Sequence, residues 1–289
     1  MATLKVLLWQ VYDALNNVYS GWILWNLFLA FIPLLISFVL FRRHRLSAGL
    51  AIAACFGLGV MSVVGTRLRT PWVFARISRK VDAAIASHLV MGLNLLWLTV
   101  ILLITLAMSI WLFKRDATFR SVLWWLGFVT FMAFLPNAPY VLTDIIHLIR
   151  GVSAGHIPTW IVALVLMPIH AIAIVLAFEA YVISILNLDT YLIQRTSRIW
   201  VLPTELMIHF LSAVGIYLGR FIRFNSWDLV ADPTSVIATT LNTLTSKRPL
   251  AVILVTFAVL TILYWLMKQI TLGLQLRIQH ARQGLNAME

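Results

Sequence analysis

Long runs of apolar residues dominate the chain, and short clusters of charged and turn-forming residues separate them. Most of these runs approach or exceed about 20 residues, the length of helix that crosses the hydrocarbon core of a bilayer. They are far longer than the roughly 10-residue alternating strands of an outer-membrane barrel. The pattern therefore predicts an all-α transmembrane bundle of about seven spans, near residues 22–41, 47–65, 84–113, 121–135, 157–186, 201–219 and 250–268.

Two further segments have the pattern of amphipathic helices that lie in the membrane surface. Residues 67–82 carry several basic side chains, while Val73, Ile77 and Val81 recur every four residues on another face. A second such helix is predicted to start at Asp232, with a proline at its first position. Because no repeat or linker divides the chain, we predict one integral membrane domain for residues 1–289.

The composition agrees with this pattern. Apolar residues make up 62% of the 289 residues and charged residues 11%, whereas a soluble domain has about 25% charged residues. This excludes an ordinary water-soluble enzyme and a disordered chain. The net charge of +12 is spread over short clusters near helix ends. We therefore expect anionic lipid head groups as partners and no nucleic acid, and the sequence identifies no protein partner. The single cysteine, Cys55, excludes a disulfide framework.

The positions of Lys and Arg give only a weak indication of topology. With seven spans, the two sides of the membrane receive equal numbers of basic residues. If some of Arg67, Arg69, Arg220 and Arg223 belong to a site, the remainder favour an external N-terminus and a cytoplasmic C-terminus.

The fourth predicted span should break where two prolines, Pro136 and Pro139, lie three residues apart. Asn137 can cap a new helix with Pro139 in its first turn, and Gly151 can end that helix. A broken helix is a common way to build a polar site inside a membrane.

Four polar side chains share one stripe of the helix that follows the break. Asn137, Tyr140, Asp144 and His147 lie at offsets of 0, 3, 7 and 10 residues, which places them on one narrow face. One interpretation is a functional site. The alternative is a kinked helix that leaves the bilayer, so that these side chains meet head groups and water.

The fifth predicted span contains Glu179 and His170 among apolar residues. A lone carboxylate in this environment must be protonated, paired or solvated. It either takes part in function or is a neutral acid hydrogen-bonded between helices. A buried neutral histidine such as His170 is usually structural.

The sixth predicted span places Glu205 and His209 four residues apart on one face, and Arg220 lies eleven residues further on along nearly the same stripe. Glu205 and His209 can pair, bind a metal with groups from another helix, or pass a proton. Arg220 and Arg223, near Asn225 and Asp228, suit recognition of a phosphate or carboxylate. The alternative is a basic helix end that snorkels to the interface.

Three strings of this sequence resemble the bacterial polytopic membrane family catalogued as "domain of unknown function 1361". They are Trp25–Ala30, Phe134–Tyr140 with Thr143, Asp144 and His147 behind it, and Tyr217–Asp228. The resemblance covers the chain from about Trp25 to the last span. It implies a multi-pass protein of the bacterial plasma membrane and supplies no reaction.

One functional hypothesis is a membrane-embedded enzyme that acts on a lipid or lipid-linked substrate and uses a divalent metal as its possible cofactor. In this hypothesis the acid–base groups, and also the candidate metal ligands, are Asp144, His147, Glu179 and His209. The candidate substrate-binding residues are Asn137, Tyr140, Arg220, Arg223, Asn225 and Asp228.

Two alternatives remain open from the sequence. A transporter or permease would bind a substrate or proton at the broken helix and at Glu179. A non-catalytic subunit or assembly factor of a membrane complex would use the same polar side chains for helix–helix hydrogen bonds.

Overall fold

The computed structural model describes residues 2–19, 21–42, 48–66, 122–153, 157–224, 239–240, 242–244 and 247–283. Every regular element in these residues is helical, which confirms the all-α class. The longer helices are α1 (Ala2–Tyr19), α2 (Trp22–Phe41), α3 (Ala48–Thr66), α4 (Val122–Phe134), α5 (Ile145–Ser153), α6 (Met167–Arg195), α7 (Val201–Tyr217) and α8 (Lys247–Arg282).

Five helical segments of the described residues are long and apolar enough to cross a membrane, and they correspond to five of the seven predicted spans. They are Trp22–Phe41, Val122–Ser153, Thr159–Arg195, Arg198–Ile222 and Lys247–Arg282. The second predicted span corresponds to α3, whose apolar part, Ile52–Gly65, is shorter.

The remaining predicted elements lie largely outside the described residues. These are the span at 84–113, the surface helix at 67–82 and the start of the second surface helix at Asp232. Within the second surface helix, residues 239–240 and 242–244 are helical.

The outer faces of these helices are apolar. Helix α8 exposes Val255, Ile262 and Trp265, and α6 exposes Ile172 and Val175. Continuous apolar surface of this kind is rare on water-soluble proteins, since it gains nothing from contact with water. The exposed faces are therefore consistent with contact with lipid chains.

Helix α2 lies at the centre of the described bundle, where it packs against α3, α4 and α6. Glycines allow its start to approach α3 closely. A Cβ atom at Gly21, whose φ is +78°, would lie 2.8 Å from the carbonyl oxygen of Gly65, and a Cβ at Gly65 would lie 2.8 Å from the amide nitrogen of Trp25. Only glycine fits both positions without moving the backbone.

The predicted break in the fourth span is present. Helix α4 ends at Phe134, a short helix covers Asn137–Tyr140, a 3₁₀ turn covers Val141–Asp144, and α5 then begins. The backbone stays helical through Pro136, at φ −61° and ψ −20°, so the segment keeps its direction across the break. The prolines have no amide hydrogen to donate, but they do not change the direction of the chain.

Two details of the predicted break were wrong. Asn137 does not precede the new helix as its cap, because Pro136 occupies that position. Instead, Asn137 Nδ2 donates to the carbonyl oxygen of Phe134 at 3.0 Å and satisfies a carbonyl that the break leaves free. Gly151 does not end α5, which continues to Ser153. A Cβ at Gly151 would lie 3.0 Å from Val18 Cγ2, so this glycine lets α1 pack on α5.

Two spans extend further than the apolar pattern predicts. Helix α6 continues to Arg195 and α8 continues to Arg282. The predicted spans ended at residue 186, shortly before Asp189, and at Lys268. In the structure Asp189 and Lys268 lie inside the helices because they form an ion pair with each other.

Candidate functional site

The first polar cluster is centred on a buried ion pair between Asp144 and Arg220. Asp144 is 0% exposed, and its Oδ1 atom lies 2.5 Å from Arg220 Nη2. Its Oδ2 atom accepts a hydrogen bond of 2.6 Å from Asn26 Nδ2. The pair therefore joins the start of α2, the segment after the break, and the end of the helical segment Arg198–Ile222, which contains α7 (the α7 segment).

The guanidinium of Arg220 is also held by its other neighbours. Its Nε and Nη2 atoms lie 3.0 Å and 2.7 Å from Thr143 Oγ1. Nη1 lies 3.1 Å from His147 Nε2, and the guanidinium carbon lies 4.4 Å from the centroid of the Tyr140 ring. Charge-assisted hydrogen bonds of this kind are about twice as strong as neutral ones. Three members of the predicted stripe (Tyr140, Asp144 and His147) thus meet at Arg220.

Close helix packing places Arg220 at this position. A Cβ atom at Gly215 would lie 2.8 Å from Pro136 Cβ, and one at Gly219 would lie 3.1 Å from Tyr140 Cε2. Two glycines four residues apart form the small-residue pattern that lets membrane helices approach closely. The backbone then widens into a π-helical turn at Leu218–Ile222, which contains Arg220. Such turns are frequent at functional sites.

Arg223 ends this π-helical turn and does not join the ion pair. It is exposed, and its φ of 67° is the one positive φ of a non-glycine residue in the described ranges. The amide groups of Arg223 and Phe224 both donate to the carbonyl oxygen of Leu218. The other two candidate substrate-binding residues here, Asn225 and Asp228, lie outside the described residues.

Aromatic rings and a second histidine border the ion pair. The Trp22 ring lies 4.6 Å from that of His147 and 6.0 Å from that of His170. His170 is 2% exposed, and neither ring nitrogen has a hydrogen-bond partner among the described residues. Tyr19, which stacks on His170, donates its hydroxyl to the carbonyl oxygen of Leu166 at 2.7 Å.

An apolar groove of about 170 Å³ lies between α2 and α6 beside these rings. Its lining residues include the sequence neighbours of Trp22 and Asn26 on α2 and of His170 on α6. The lining residues are Ile23, Leu24, Leu27, Ile169, Ile172, Ala173 and Leu176.

The second polar cluster joins α6, α7 and α8. Lys268 Nζ forms ion pairs with Asp189 Oδ2 at 3.2 Å and with Glu205 Oε1. Tyr264 donates its hydroxyl to Glu205 Oε1 at 2.6 Å and lies 3.4 Å from Asp189 Oδ2. Two carboxylates therefore share one ammonium and one phenol.

His209 and Glu179 form separate contacts. Tyr181 Oη lies 2.8 Å from His209 Nδ1 and 3.2 Å from Ser212 Oγ. The structure therefore pairs His209 with Tyr181 rather than with Glu205. Glu179 Oε1 accepts a hydrogen bond of 2.8 Å from the hydroxyl of Thr271 on α8.

The four candidate metal ligands lie in different clusters. Asp144 and His147 surround Arg220, while His209 lies eleven residues before Arg220, about 16 Å away along an α-helix. Glu179 contacts Thr271. Within the described ranges, no group of three His, Cys, Asp or Glu side chains is arranged to hold a metal ion. The structure thus does not assemble these four residues into one centre.

Several residues of these polar contacts were not among the candidate residues predicted from the sequence. Asn26 and Thr143 belong to strings that carry the family resemblance, but neither was predicted to contact the site. The spacing of Gly215 and Gly219 was a recognisable packing signal. Asp189 and Lys268 gave no signal beyond their charge, because both stand at the edges of apolar runs. The missed residues are Asn26, Thr143, Gly215, Gly219, Tyr181, Asp189, Tyr264, Lys268 and Thr271.

The fold and the charged networks between its helices define an all-α membrane protein. A family model described as "Protein of unknown function (DUF1361)" matches residues 97–262, which is more than half of the chain. The chain belongs to this family. The match contains the broken helix, Asp144, Arg220, Asp189 and Glu205. It does not contain Asn26, Tyr264 or Lys268. No curated protein and no solved structure matches the chain.

Proposed function

We propose that the protein is a multi-pass transporter of the bacterial plasma membrane and that an anionic substrate binds at Arg220. The observation that supports this proposal is the Asp144–Arg220 ion pair, which three helical segments build beside a broken helix. Transporters commonly place substrate sites at such breaks. Arg220 is also the more accessible partner of the pair, since its side chain is 14% exposed and that of Asp144 is 0% exposed.

The ion pair provides a switch between two states. A carboxylate or phosphate that binds Arg220 competes with Asp144 for the same guanidinium, because planar guanidinium groups favour both anions. Asn26 donates to Asp144 Oδ2 and Arg220 donates to Oδ1, so the Asn26 hydrogen bond does not require Arg220 to stay in place. The occupied and empty states then differ in how the end of the α7 segment is tied to the broken helix. Such a difference in contacts is what a substrate needs in order to shift a conformational equilibrium.

The pairing of Arg220 also bears on topology. A paired arginine counts toward a site, so the remaining Lys and Arg residues favour a cytoplasmic C-terminus by a small margin. In this orientation, the Arg220 end of the α7 segment faces the outer surface of the membrane.

Proteoliposome uptake tests the proposal. The probes are inorganic phosphate and succinate, which carry the two anionic groups that arginine recognises. We expect uptake of one of them by the wild type and a loss of at least about tenfold in Arg220→Lys, which keeps the charge but not the planar contacts. Arg277→Lys, at an exposed position of α8, is the matched control, because it makes the same change away from the site. Folded wild-type protein that takes up neither anion contradicts the proposal.

The apolar groove favours a second candidate, an enzyme that acts on a lipid or lipid-linked substrate. A chain of the substrate would occupy the groove, and its anionic head group would reach Arg220, with His147 as the acid–base group. The test incubates the protein with phosphatidylglycerol vesicles and analyses the lipids by mass spectrometry, with and without added Mn²⁺ or Zn²⁺. A product that requires His147 and Arg220 supports the enzyme. Anion uptake without lipid conversion supports the transporter.

A further inference from the structure

Among the described residues, the second polar cluster has more negative than positive groups. Asp189 and Glu205 are 4% and 8% exposed, and both face Lys268. If both carboxylates are ionised, the cluster carries a net charge of −1 between membrane helices. Uncompensated charge in this environment is expensive.

The first cluster provides the contrast. There, one carboxylate (Asp144) faces one guanidinium (Arg220), so the charges balance without any additional ion. Charge balance therefore requires a further positive charge at the second cluster and none at the first.

A carboxylate oxygen without a hydrogen-bond partner indicates where that positive charge binds. Asp189 Oδ1 is buried and has no hydrogen-bond partner among the described residues. Glu205 Oε1, in contrast, accepts from both Lys268 and Tyr264. The contacts of Asp189 Oδ2 with the same two donors are longer, at 3.2 Å and 3.4 Å. Glu205 is the better-stabilised carboxylate, so the additional positive charge belongs on Asp189.

We propose that Asp189, Glu205 and Lys268 form a proton-binding site in which Asp189 Oδ1 carries the proton. Binding converts the Asp189 carboxylate to a carboxylic acid and leaves Glu205 paired with the Lys268 ammonium. Release returns the proton to water and leaves the cluster with its net negative charge. Among the described residues, the titratable groups that contact Asp189 are Tyr264 and Lys268 on α8, and Glu205 on α7 contacts the same two side chains. Behind them, the rings of His209 on α7 and Tyr181 on α6 pack against the Tyr264 ring.

The site lies apart from the Asp144–Arg220 pair. Glu205 precedes Arg220 by fifteen residues, about 22 Å along an α-helix. The assignment of the proton site does not depend on the proposed function. Only one extension rests on that function, namely that this proton is the coupling ion of transport.

Infrared difference spectroscopy of the purified full chain in lipid nanodiscs tests the site without a substrate. A protonated carboxyl group has a carbonyl-stretch band that an ionised carboxylate lacks. We expect the wild type to show this band at neutral pH and to lose it at alkaline pH. We expect Asp189→Asn to remove the Asp189 component of the band. A wild-type spectrum without any protonated carboxyl at neutral pH overturns the proposal.

Two control variants assign the band. Asp144→Asn removes a buried carboxylate whose charge is balanced, so the band should remain unchanged. Glu179→Gln removes the carboxylate that Thr271 contacts and identifies any contribution from that side chain. If the band is lost in Glu179→Gln but retained in Asp189→Asn, the proton site is wrongly assigned.

A third variant and a change of salt complete the test. Lys268→Met removes the ammonium, so the cluster needs a second proton and its band should grow about twofold. Replacement of Na⁺ by choline should leave the wild-type band unchanged. If Na⁺ abolishes the band, a metal cation rather than a proton occupies the cluster, and the proposal fails. If Lys268→Met does not fold, the pH titration of the wild type still decides.

Loss of uptake in Asp189→Asn with the band assigned as expected supports the coupling role. Retained proton-driven uptake in that variant contradicts the coupling role and leaves the proton site intact. Failure of the coupling role can therefore be distinguished from failure of the proton site.

Discussion

Gly215 faces Pro136 so closely that a Cβ atom on the glycine would lie 2.8 Å from the proline Cβ. This contact joins α7 to the broken helix one turn before Arg220. The position of Arg220 beside Asp144 therefore depends on a residue without a side chain. Because proline has a rigid ring, the contact cannot be relieved by a rotamer change on the opposite side.

The first prediction concerns this contact. Gly215→Ala should reduce the free energy of unfolding by about 1–3 kcal/mol, the usual cost of overpacking. Gly273→Ala is the matched control, since a Cβ at Gly273 meets nothing within 4 Å, and alanine favours the helix by up to about 1 kcal/mol. Thermal unfolding in detergent compares the two variants. Equal effects would mean that the Gly215 contact is not tight.

The second prediction concerns the charges of the ion pair. Asp144→Asn should cost about 3–5 kcal/mol, because it leaves the arginine charge uncompensated. The double variant Asp144→Asn/Arg220→Gln should be more stable than the sum of the two single variants predicts. A double-mutant cycle from unfolding measurements gives the coupling energy. Additive single effects would exclude a direct interaction.

The third prediction concerns Asn26, the partner that sequence reasoning missed. Asn26→Ala removes a hydrogen bond to an ionised group and should cost about 1.5–3 kcal/mol. Ser37→Ala removes a neutral acceptor 2.8 Å from Asn187 Nδ2 and should cost about 1 kcal/mol. The same unfolding assay ranks them, and a smaller effect at Asn26 than at Ser37 would contradict the charged character of the first bond.

The fourth prediction concerns pH and the second cluster. Lys268→Met leaves Asp189 and Glu205 facing each other without an ammonium, so their ionisation becomes unfavourable in the folded state. Protons bound by the folded chain are then lost as the pH rises, and the stability of this variant should fall from acidic to alkaline pH. Addition of Glu205→Gln removes one carboxylate and should restore part of the stability at alkaline pH. Unfolding of both variants across pH 5–9 measures this, and parallel pH profiles would contradict it.

The fifth prediction concerns backbone strain at Arg223. A left-handed conformation costs a non-glycine residue about 1–2 kcal/mol, so Arg223→Gly should raise stability by about 1 kcal/mol. Arg223→Ala removes the same charge but keeps the strain and should give no such gain. If both variants gain equally, the effect comes from the lost charge. Strain retained at such a position is often connected with function, so anion uptake is measured in parallel.

The apolar periodicity of the sequence was sufficient to predict the helices and the break at Pro136 and Pro139, because lipid allows few alternatives to a helix. It was also sufficient to place Tyr140, Asp144 and His147 on one face. Partners from other helices could not be predicted this way. The periodicity of one helix does not specify which face of another helix it meets, and Asn26 lies 118 residues from Asp144 in the sequence.

Charge at the edge of an apolar run caused the main errors in helix length. The predicted last span ends at Lys268, and an isolated ammonium avoids the membrane interior. Its two carboxylate partners come from helices α6 and α7, so their contribution becomes visible only once the helices are packed. Likewise, Glu205 and His209 lie on one face as predicted, but their partners lie on other helices. Glu205 contacts Tyr264 and Lys268 on α8, and His209 contacts Tyr181 on α6.

The π-helical turn at Leu218–Ile222 determines what a change in the length of this segment would do. A π turn holds one residue more than an α turn can, and each residue of an α-helix rotates the chain by about 100°. A deletion of one residue within this turn would leave four α-helical residues in place of five π-helical ones. Both rotate the chain by about 400°, because a π-helical residue rotates it by roughly 80°. The C-terminal end of the segment would therefore keep nearly the same direction relative to the face that carries Glu205 and His209. Among members of the family, a one-residue gap here would therefore mark chains that keep the mutual orientation of the flanking helix ends but lack the widened turn that contains Arg220.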